Sequence, residues 1–444
     1  MSKWAAAGAL IAALSLVGCG PAKTHQDGGA IPDSGVHGDA GSTDSGIPQT
    51  VTLIDTMKSG GAYIPTTPAF IAGKDGDGAW VPLTGSGGHY TLTVKDPAGR
   101  YSITVVCAPD PAAITPVISY QATVAELPEI NLDICLDTSS PLEFDQTLTS
   151  SNWPAGAMQT SVSYGSNTTF SSAPGTTDKL KVQQGTYDIF ATVGSVASFV
   201  YMPQRFILSH DVQVNGVGSR NLDFSPTTSA PLTSFVPSMG GVAATDLSVA
   251  RSVEFVTSDG SDHSLQSTSD LSLSSPGIPL ASQGPKDAHL ILVIATGMGG
   301  NQRAVFRGLR APAAITLTPP PYFISAKASA IAKTPYARGK FEWTGGNPTP
   351  RLLLAAFQQT QRSWYFFATS GSLPDTSYTQ PDVSGVAGWD NAWAMQTGVS
   401  GSYTFYVLSG NRSVDTLLQF LLQRRNLTDG EEALLSARSD VITF

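Results

Sequence analysis

Charge is scarce in this chain. Asp, Glu, Lys and Arg make up 13% of its 444 residues, about half the ~25% common in soluble globular proteins, so long charged helices cannot cover the surface. Basic residues are the scarcer sign: 25 Lys and Arg face 34 Asp and Glu, for a net charge of −9. That argues against a nucleic-acid partner, because phosphate binding needs concentrated basic surface, and Arg424-Arg425 does not make one. Long apolar runs are missing too. Ala5 to Val17 covers 13 residues, short of the ~20 a membrane-spanning helix needs. Local catalytic signatures are likewise absent. There is no Gly-x-Ser-x-Gly, no His pair at i, i+4, and no phosphate-loop Gly run ending in Lys-Ser/Thr.

What the chain does hold is turn chemistry. Its 44 Gly and 30 Pro, with abundant Ser and Thr, suit short strands, many turns and hydroxyl-rich faces. The opening is separate in kind. Met1-Ser2-Lys3 and the apolar run after it have the pattern of a secretory signal. The run ends at Leu16-Val17-Gly18-Cys19, which resembles the lipobox of bacterial lipoproteins at all four positions. The resemblance implies cleavage before Cys19, a diacylglycerol on its sulfur and, usually, an acylated amine. Each buried methylene is worth ~0.8 kcal/mol, so two or three acyl chains hold a protein on a bilayer durably. Gly20, where an Asp would imply inner-membrane retention, implies the outer membrane. Residues 20–49 repeat Asp-x-Gly at Asp27, Asp33, Asp39 and Asp44 and read as an extended tether.

From Val51 onward, short runs alternate between apolar and hydroxyl residues. Tyr90–Val94 and Tyr101–Val105 read as half-buried strands, and Asp96-Pro97-Ala98-Gly99 between them predicts a hairpin. Gly-x-Tyr recurs at Gly88, Gly99, Gly185 and Gly401, with Gly61-Ala-Tyr63 as a fifth and Gly339-Lys-Phe341 as a Phe variant. Chance at this composition gives about one. The unit reads as a turn glycine before an aromatic that plugs the end of a sandwich core. It resembles the strand starts of prealbumin-like and immunoglobulin-like bacterial surface modules, which implies architecture and no activity. The expected fold is therefore mainly β, as tandem antiparallel sandwich modules at 50–140, 141–230, 231–322 and 323–444, after a signal at 1–18 and a lipidated tether at 19–49. Near the C-terminus, apolar residues at 414, 417, 418, 421 and 422 predict a short helix. Thr428-Asp-Gly-Glu431 predicts the capping box of a second one reaching Arg438.

Candidate chemistry is thin. Cys107 and Cys135, 28 positions apart in an exported chain, most simply form a disulfide worth roughly 3.5 kcal/mol. They differ in the face each takes, which asks for a strand end or bulge. The six His, at 25, 37, 89, 210, 263 and 289, are scattered. His210-Asp211 and Asp262-His263 are adjacent pairs whose members point to opposite strand faces, so both read as surface polar residues and no metal site is expected. Lys74-Asp75-Gly-Asp77-Gly78 departs from a calcium loop at its fifth and twelfth positions and reads as a turn. Aromatics crowd at Trp364-Tyr365-Phe366-Phe367, Trp389 and Trp393. Core packing accounts for them most simply, while exposed Trp beside Asp and Asn suits sugar stacking.

The expectation is a non-catalytic lipoprotein of the outer membrane, held through Cys19, with a binding, adhesive or structural role and no cofactor. Its partner would be an envelope protein or a polysaccharide. Polysaccharide binding through Trp364, Trp389 and Trp393 is the alternative within binding, and a glycoside hydrolase is the alternative outside it.

Overall fold

The computed structural model describes residues 49–444, apart from 55, 60–61, 108–114, 132–141, 166, 198–199, 348, 361, 374–375 and 423–425. Cys19, Cys135 and the Arg424-Arg425 pair lie outside the described residues.

Twelve strands form one open sheet. In chain order they are β1 Phe70–Asp75, β2 Trp80–Pro82, β3 Arg100–Val106, β4 Thr115–Thr123, β5 Ser248–Val256, β6 Asp262–Thr268, β7 Ala288–Thr296, β8 Asn301–Leu309, β9 Leu352–Gln359, β10 Arg362–Thr369, β11 Ser400–Gly410 and β12 Glu432–Thr443. Their spatial order is β6-β5-β7-β8-β12-β11-β9-β10-β4-β3-β1-β2. Every pairing is antiparallel except β10 with β4. The sheet thus draws on residues 70–123, 248–309 and 352–443, three stretches far apart in the chain.

Both of its faces are buried, which is why its central strands read as nearly continuous apolar runs. Along β9, Leu352 and Leu354 enter one core with Tyr101, Ile103, Val105, Tyr120 and Leu435. Leu353, Ala355 and Phe357 enter the other, with Trp364, Phe366 and Phe405. The first face is covered by Gln49–Ile54 and His89–Val94 of a four-stranded sheet and by a helix, α1 Val414–Leu421. The second is covered by the three-stranded sheet of Phe323–Ala332, Arg338–Gly345 and Ser377–Thr379. Residues 143–231 build a further sandwich from a three-stranded and a five-stranded sheet, with its own core around Tyr164, Ile189, Val193 and Phe224. The fold is mainly β, as expected.

The aromatic plugs take their expected places. Tyr90, Tyr101, Tyr187 and Tyr403 are all buried. Gly99 has φ +66°, and at Gly339 a Cβ would stand 2.2 Å from the Phe357 ring, so the two glycines serve different needs.

Two expectations fail. The Asp96–Gly99 turn forms, with the Gly99 amide donating to the Asp96 carbonyl at 2.8 Å, but it does not close a hairpin. His89–Val94 pairs with Gln49–Ile54, while β3 pairs with β1 and β4. Tyr90, Leu92 and Val94 face Tyr101, Ile103 and Val105 across one core, so the turn carries the chain from one layer of the sandwich to the other. Second, the segment expected as a helix through Arg438 is strand β12. Half of the capping box is present, since Glu431 Oε2 accepts from the Thr428 amide at 2.8 Å. Gly430, at φ +77°, then turns the chain. Ala433, Leu435 and Ala437 drop into the core, and the strand bonds to β8 and β11 on its two edges. Those ladders satisfy the backbone on both sides, which a local cap cannot match. The first helix does form. Ser413 Oγ accepts from the Thr416 amide at 3.2 Å, and Val414, Leu417, Leu418 and Leu421 are buried.

Candidate carboxylate–imidazole site

The segment Gly185-Thr-Tyr-Asp-Ile-Phe places one carboxylate, Asp188, inside an otherwise apolar strand. Gly185–Ala197 pairs with Val200–Val214, and the register slips between Tyr187↔Val212 and Ile189↔Ser209. Asp188 therefore faces two residues, His210 and Asp211. This is a β-bulge, a device that re-aims side chains. Asp211 takes the left-handed conformation, φ +56°, and its amide donates to Asp188 Oδ1 at 3.0 Å.

Two turns from the large sheet meet this bulge. The turn joining β5 to β6 sends the Ser258 hydroxyl to Asp188 Oδ2 at 2.8 Å and the Asp259 amide to the same oxygen at 3.2 Å. In return, Asp259 Oδ2 accepts from the Asp188 amide at 2.8 Å. The turn ahead of β7 brings Asp287, whose Oδ2 accepts from the Gly284 amide at 2.6 Å. His210 stands between the carboxylates: Nδ1 is 3.2 Å from Asp188 Oδ2 and Nε2 is 3.4 Å from Asp287 Oδ2. The His210 side chain is 31% exposed, and those of Asp188 and Asp287 are 1% and 0%.

The two carboxyl groups experience opposite balances. Burial raises Asp188, but the Ser258 hydroxyl, the Asp211 amide and His210 outweigh it and hold the carboxyl below its ordinary range. For Asp287 burial dominates with the nearby Asp188 charge, and the Gly284 amide, His210 and the Ser258 amide do not bring it back down. Two buried atoms of the cluster, His210 Nδ1 and Asp287 Oδ1, have no well-aligned hydrogen-bond partner. One candidate ligand atom from each of Asp188, His210 and Asp287 can be chosen so that all three lie within 4.8 Å of one another. Ser258 gives its proton to the carboxylate and not to the imidazole, so it does not form a nucleophile–base pair with His210.

The surface reading of the two His–Asp pairs needs correction. His210 is half-buried between acids. His263 is 2% exposed on β6, with Nε2 3.0 Å from the Thr257 hydroxyl, and burial pushes its imidazole down to about 3. His289 is fully buried, and its Nε2 accepts from the Ile278 amide at 2.9 Å. His25 and His37 lie outside the described residues. Adjacent residues do point apart on a regular strand; the bulge and the turns make the difference, and spacing does not reveal them. One signal was there to be read: a lone Asp between Tyr187 and Ile189 in an apolar run demands a partner.

The expected tryptophans separate. Trp364 is 0% exposed, and its Nε1 donates to Ser119 Oγ at 2.9 Å. It offers no face to a sugar, because β10 is buried on both sides. Trp389 and Trp393 are half-buried. Trp389 lies 5.2 Å from Phe70, 5.6 Å from Tyr336 and 5.5 Å from Trp393, and its Nε1 donates to Asn391 Oδ1 at 3.0 Å. Cys107 is buried at the end of β3 and disulfide-bonded. It is the single cysteine among the described residues, so its expected pairing with Cys135 falls outside them. A cavity of about 390 Å³, lined by Trp343, Leu352, Leu353, Leu373 and Val407 with Arg351, Ser370 and Thr376, shares no residue with the carboxylate–imidazole cluster. Among the described residues no helix is long and apolar enough to cross a membrane.

No protein-family model and no curated protein matches this chain. Among solved structures, the Bacillus anthracis TIE protein is similar over 61% of this chain and 50% of its own, at 10% identity and a TM-score of 0.15. This chain thus spans about half the length of that protein, and nothing about ligand or activity follows from the likeness.

Proposed function

We propose that the chain is a lipid-anchored protein of the bacterial cell envelope, held on the outer membrane through Cys19, with a non-catalytic binding or structural role. The observation that carries this reading is the sequence Leu16-Val17-Gly18-Cys19 followed by some thirty residues of low-hydrophobicity Asp/Gly/Ser tether. A lipid at one end of such a tether places a folded β body off the bilayer while leaving it free to reach a partner. The β-rich body supports the role by analogy of architecture. Its buried polar chemistry ties strands to one another and to turns, as in the four bonds of the Arg251 guanidinium to Pro237 and Gln266 on strands and to Leu271 and Leu273 in a turn. A disulfide between Cys107 and Cys135 belongs to the same reading of an exported chain.

The test is a crosslinked pull-down of the tagged chain from native envelopes, with Cys19→Ala as control. A near-stoichiometric protein recovered only with the anchored form is the expected result. Equal recovery of the same proteins with Cys19→Ala would remove the anchor from the account. A second reading, polysaccharide binding, rests on Trp389 and Trp393, which keep part of their surface outside the core beside Asp390 and Asn391. Retention on envelope polysaccharide that is lost in Trp389→Ala/Trp393→Ala, with an unchanged circular dichroism spectrum, would establish it.

A further inference from the structure

The carboxylate–imidazole cluster has an imbalance that its protein contacts do not resolve. Asp188 is served by the Asp211 and Asp259 amides and the Ser258 hydroxyl. Asp287 is no better exposed, yet its Oδ1 has no well-aligned donor. A buried carboxylate oxygen without a partner costs a protein free energy that a proton or a cation can restore. Both oxygens of Asp287 and Cε1 of His210 lie 3.3 Å from one point, the place a Cβ on Gly284 would occupy. The carboxylate and the edge of the ring are therefore held together over a residue with no side chain to separate them.

We propose that this cluster binds one divalent transition-metal ion of the zinc class, ligated by His210 Nε2 and the Asp287 carboxylate, with Asp188 orienting the imidazole from its other nitrogen. Three features select this arrangement. The Nε2···Oδ2 separation of 3.4 Å matches the edge of about 3.4 Å between neighbouring ligands in a tetrahedron with Zn–N and Zn–O bonds near 2.1 Å. A metal-bound histidine typically gives its remaining N–H to a carboxylate, and Asp188 stands 3.2 Å from Nδ1, already held in place by three other donors. An imidazole ligand favours zinc-class ions over calcium or magnesium, which prefer all-oxygen sites. Because His210 keeps 31% of its side-chain surface, water can complete the coordination from the open side.

The ligands come from different sheets. His210 belongs to the five-stranded sheet, while Asp287 precedes β7 of the large one. The ion would therefore tie residues 185–214 to the large sheet, as well as fill a site.

The probe is Zn²⁺ alone, titrated calorimetrically into the full-length chain carrying a tag without histidine. The His25→Ala/His37→Ala variant serves as background, because the tether carries His and Asp of its own. One saturable site is expected in that background. His210→Ala and the near-isosteric Asp287→Asn should abolish it, and Asp188→Asn should weaken it by about tenfold to a hundredfold, the usual cost of losing an outer partner. Imidazole ¹⁵N shifts give a second readout that does not depend on the variants' stability: Nε2 of His210 should move on adding Zn²⁺ while Nδ1 stays protonated. Absence of a saturable site in the background variant would overturn the proposal. So would a site that survives Asp287→Asn, or a His210 Nε2 shift that is insensitive to Zn²⁺.

Discussion

Trp364 and Asp188 are both hidden from solvent, at 0% and 1% exposure, yet they join distant parts of the chain by different means. Around Trp364, residues from β4, β9, β10 and β11 meet a covering sheet through apolar side chains, rings foremost: Phe341 of the covering sheet stacks on Phe357 at 4.5 Å and meets Phe366 at 6.0 Å. Around Asp188 the join between the 143–231 sandwich and the large sheet adds carboxylates, amides, a hydroxyl and one imidazole to an apolar patch in which Phe190 lies 5.4 Å from Phe255. An apolar join is indifferent to pH and to ions, and its strength scales with the area removed from water. A polar one is conditional: its strength depends on which groups hold protons and on what else is bound. The molecule thus has a permanent seam and one with a responsive polar part.

The permanent seam should show the largest single effect. Phe357→Ala removes a fully buried ring that contacts Phe341, Phe366 and Phe444, and should cost about 3–5 kcal/mol in urea unfolding. A loss under about 1 kcal/mol would mean that this core is not close-packed.

Next comes a third join, intermediate in kind. Arg303 forms a two-pronged pair with Asp246, at 2.7 and 3.2 Å, and Tyr322 donates to the same carboxylate at 2.7 Å. Asp246→Ala leaves the Arg303 guanidinium, 6% exposed, without its charge partner, and should cost about 3 kcal/mol. Burial raises the Asp246 carboxyl, but Arg303, Tyr322 and the Ala243 amide together hold it below its ordinary 3.8. A carboxyl lowered on folding contributes stability that is complete above its ordinary value and lost as the pH falls through the folded one. The difference in unfolding midpoint between wild type and Asp246→Ala should therefore shrink in acid and be largest near neutrality.

At the responsive seam, Asp259→Ala deletes the acceptor of the Asp188 amide and should cost about 1–3 kcal/mol. Its signature is regional: hydrogen exchange should quicken in residues 185–214 and 257–262 while β9 to β11 stay protected. Uniform acceleration would dissolve the distinction between the two seams. Smallest is Ser413→Ala at the start of α1, about 1 kcal/mol from a lost cap. The exposed Lys327–Glu342 pair should contribute nothing measurable beyond about 1 kcal/mol.

The same contrast explains what could be read from the sequence. Strands at Tyr90–Val94 and Tyr101–Val105 were legible because alternation reports burial directly. Whether the Asp96–Gly99 turn closes a hairpin or crosses between layers was not, since both put Tyr90 and Tyr101 inside. The β12 segment was misread because a satisfied Thr428–Glu431 contact is compatible with either a helix or a turn into a strand; only the neighbours β8 and β11 decide. The polar seam was the least legible of all. It depends on a one-residue slip opposite Asp188 and on two turns, at 257–261 and 284–287, that come together only in the folded chain.

Anchoring through Cys19 is the central claim, and mass spectrometry of the chain extracted from its native envelope tests it most directly. The account predicts a mature N-terminus at Cys19 carrying a diacylglyceryl group, absent from Cys19→Ala. An unmodified Cys19, or a mature chain that begins elsewhere, would contradict it.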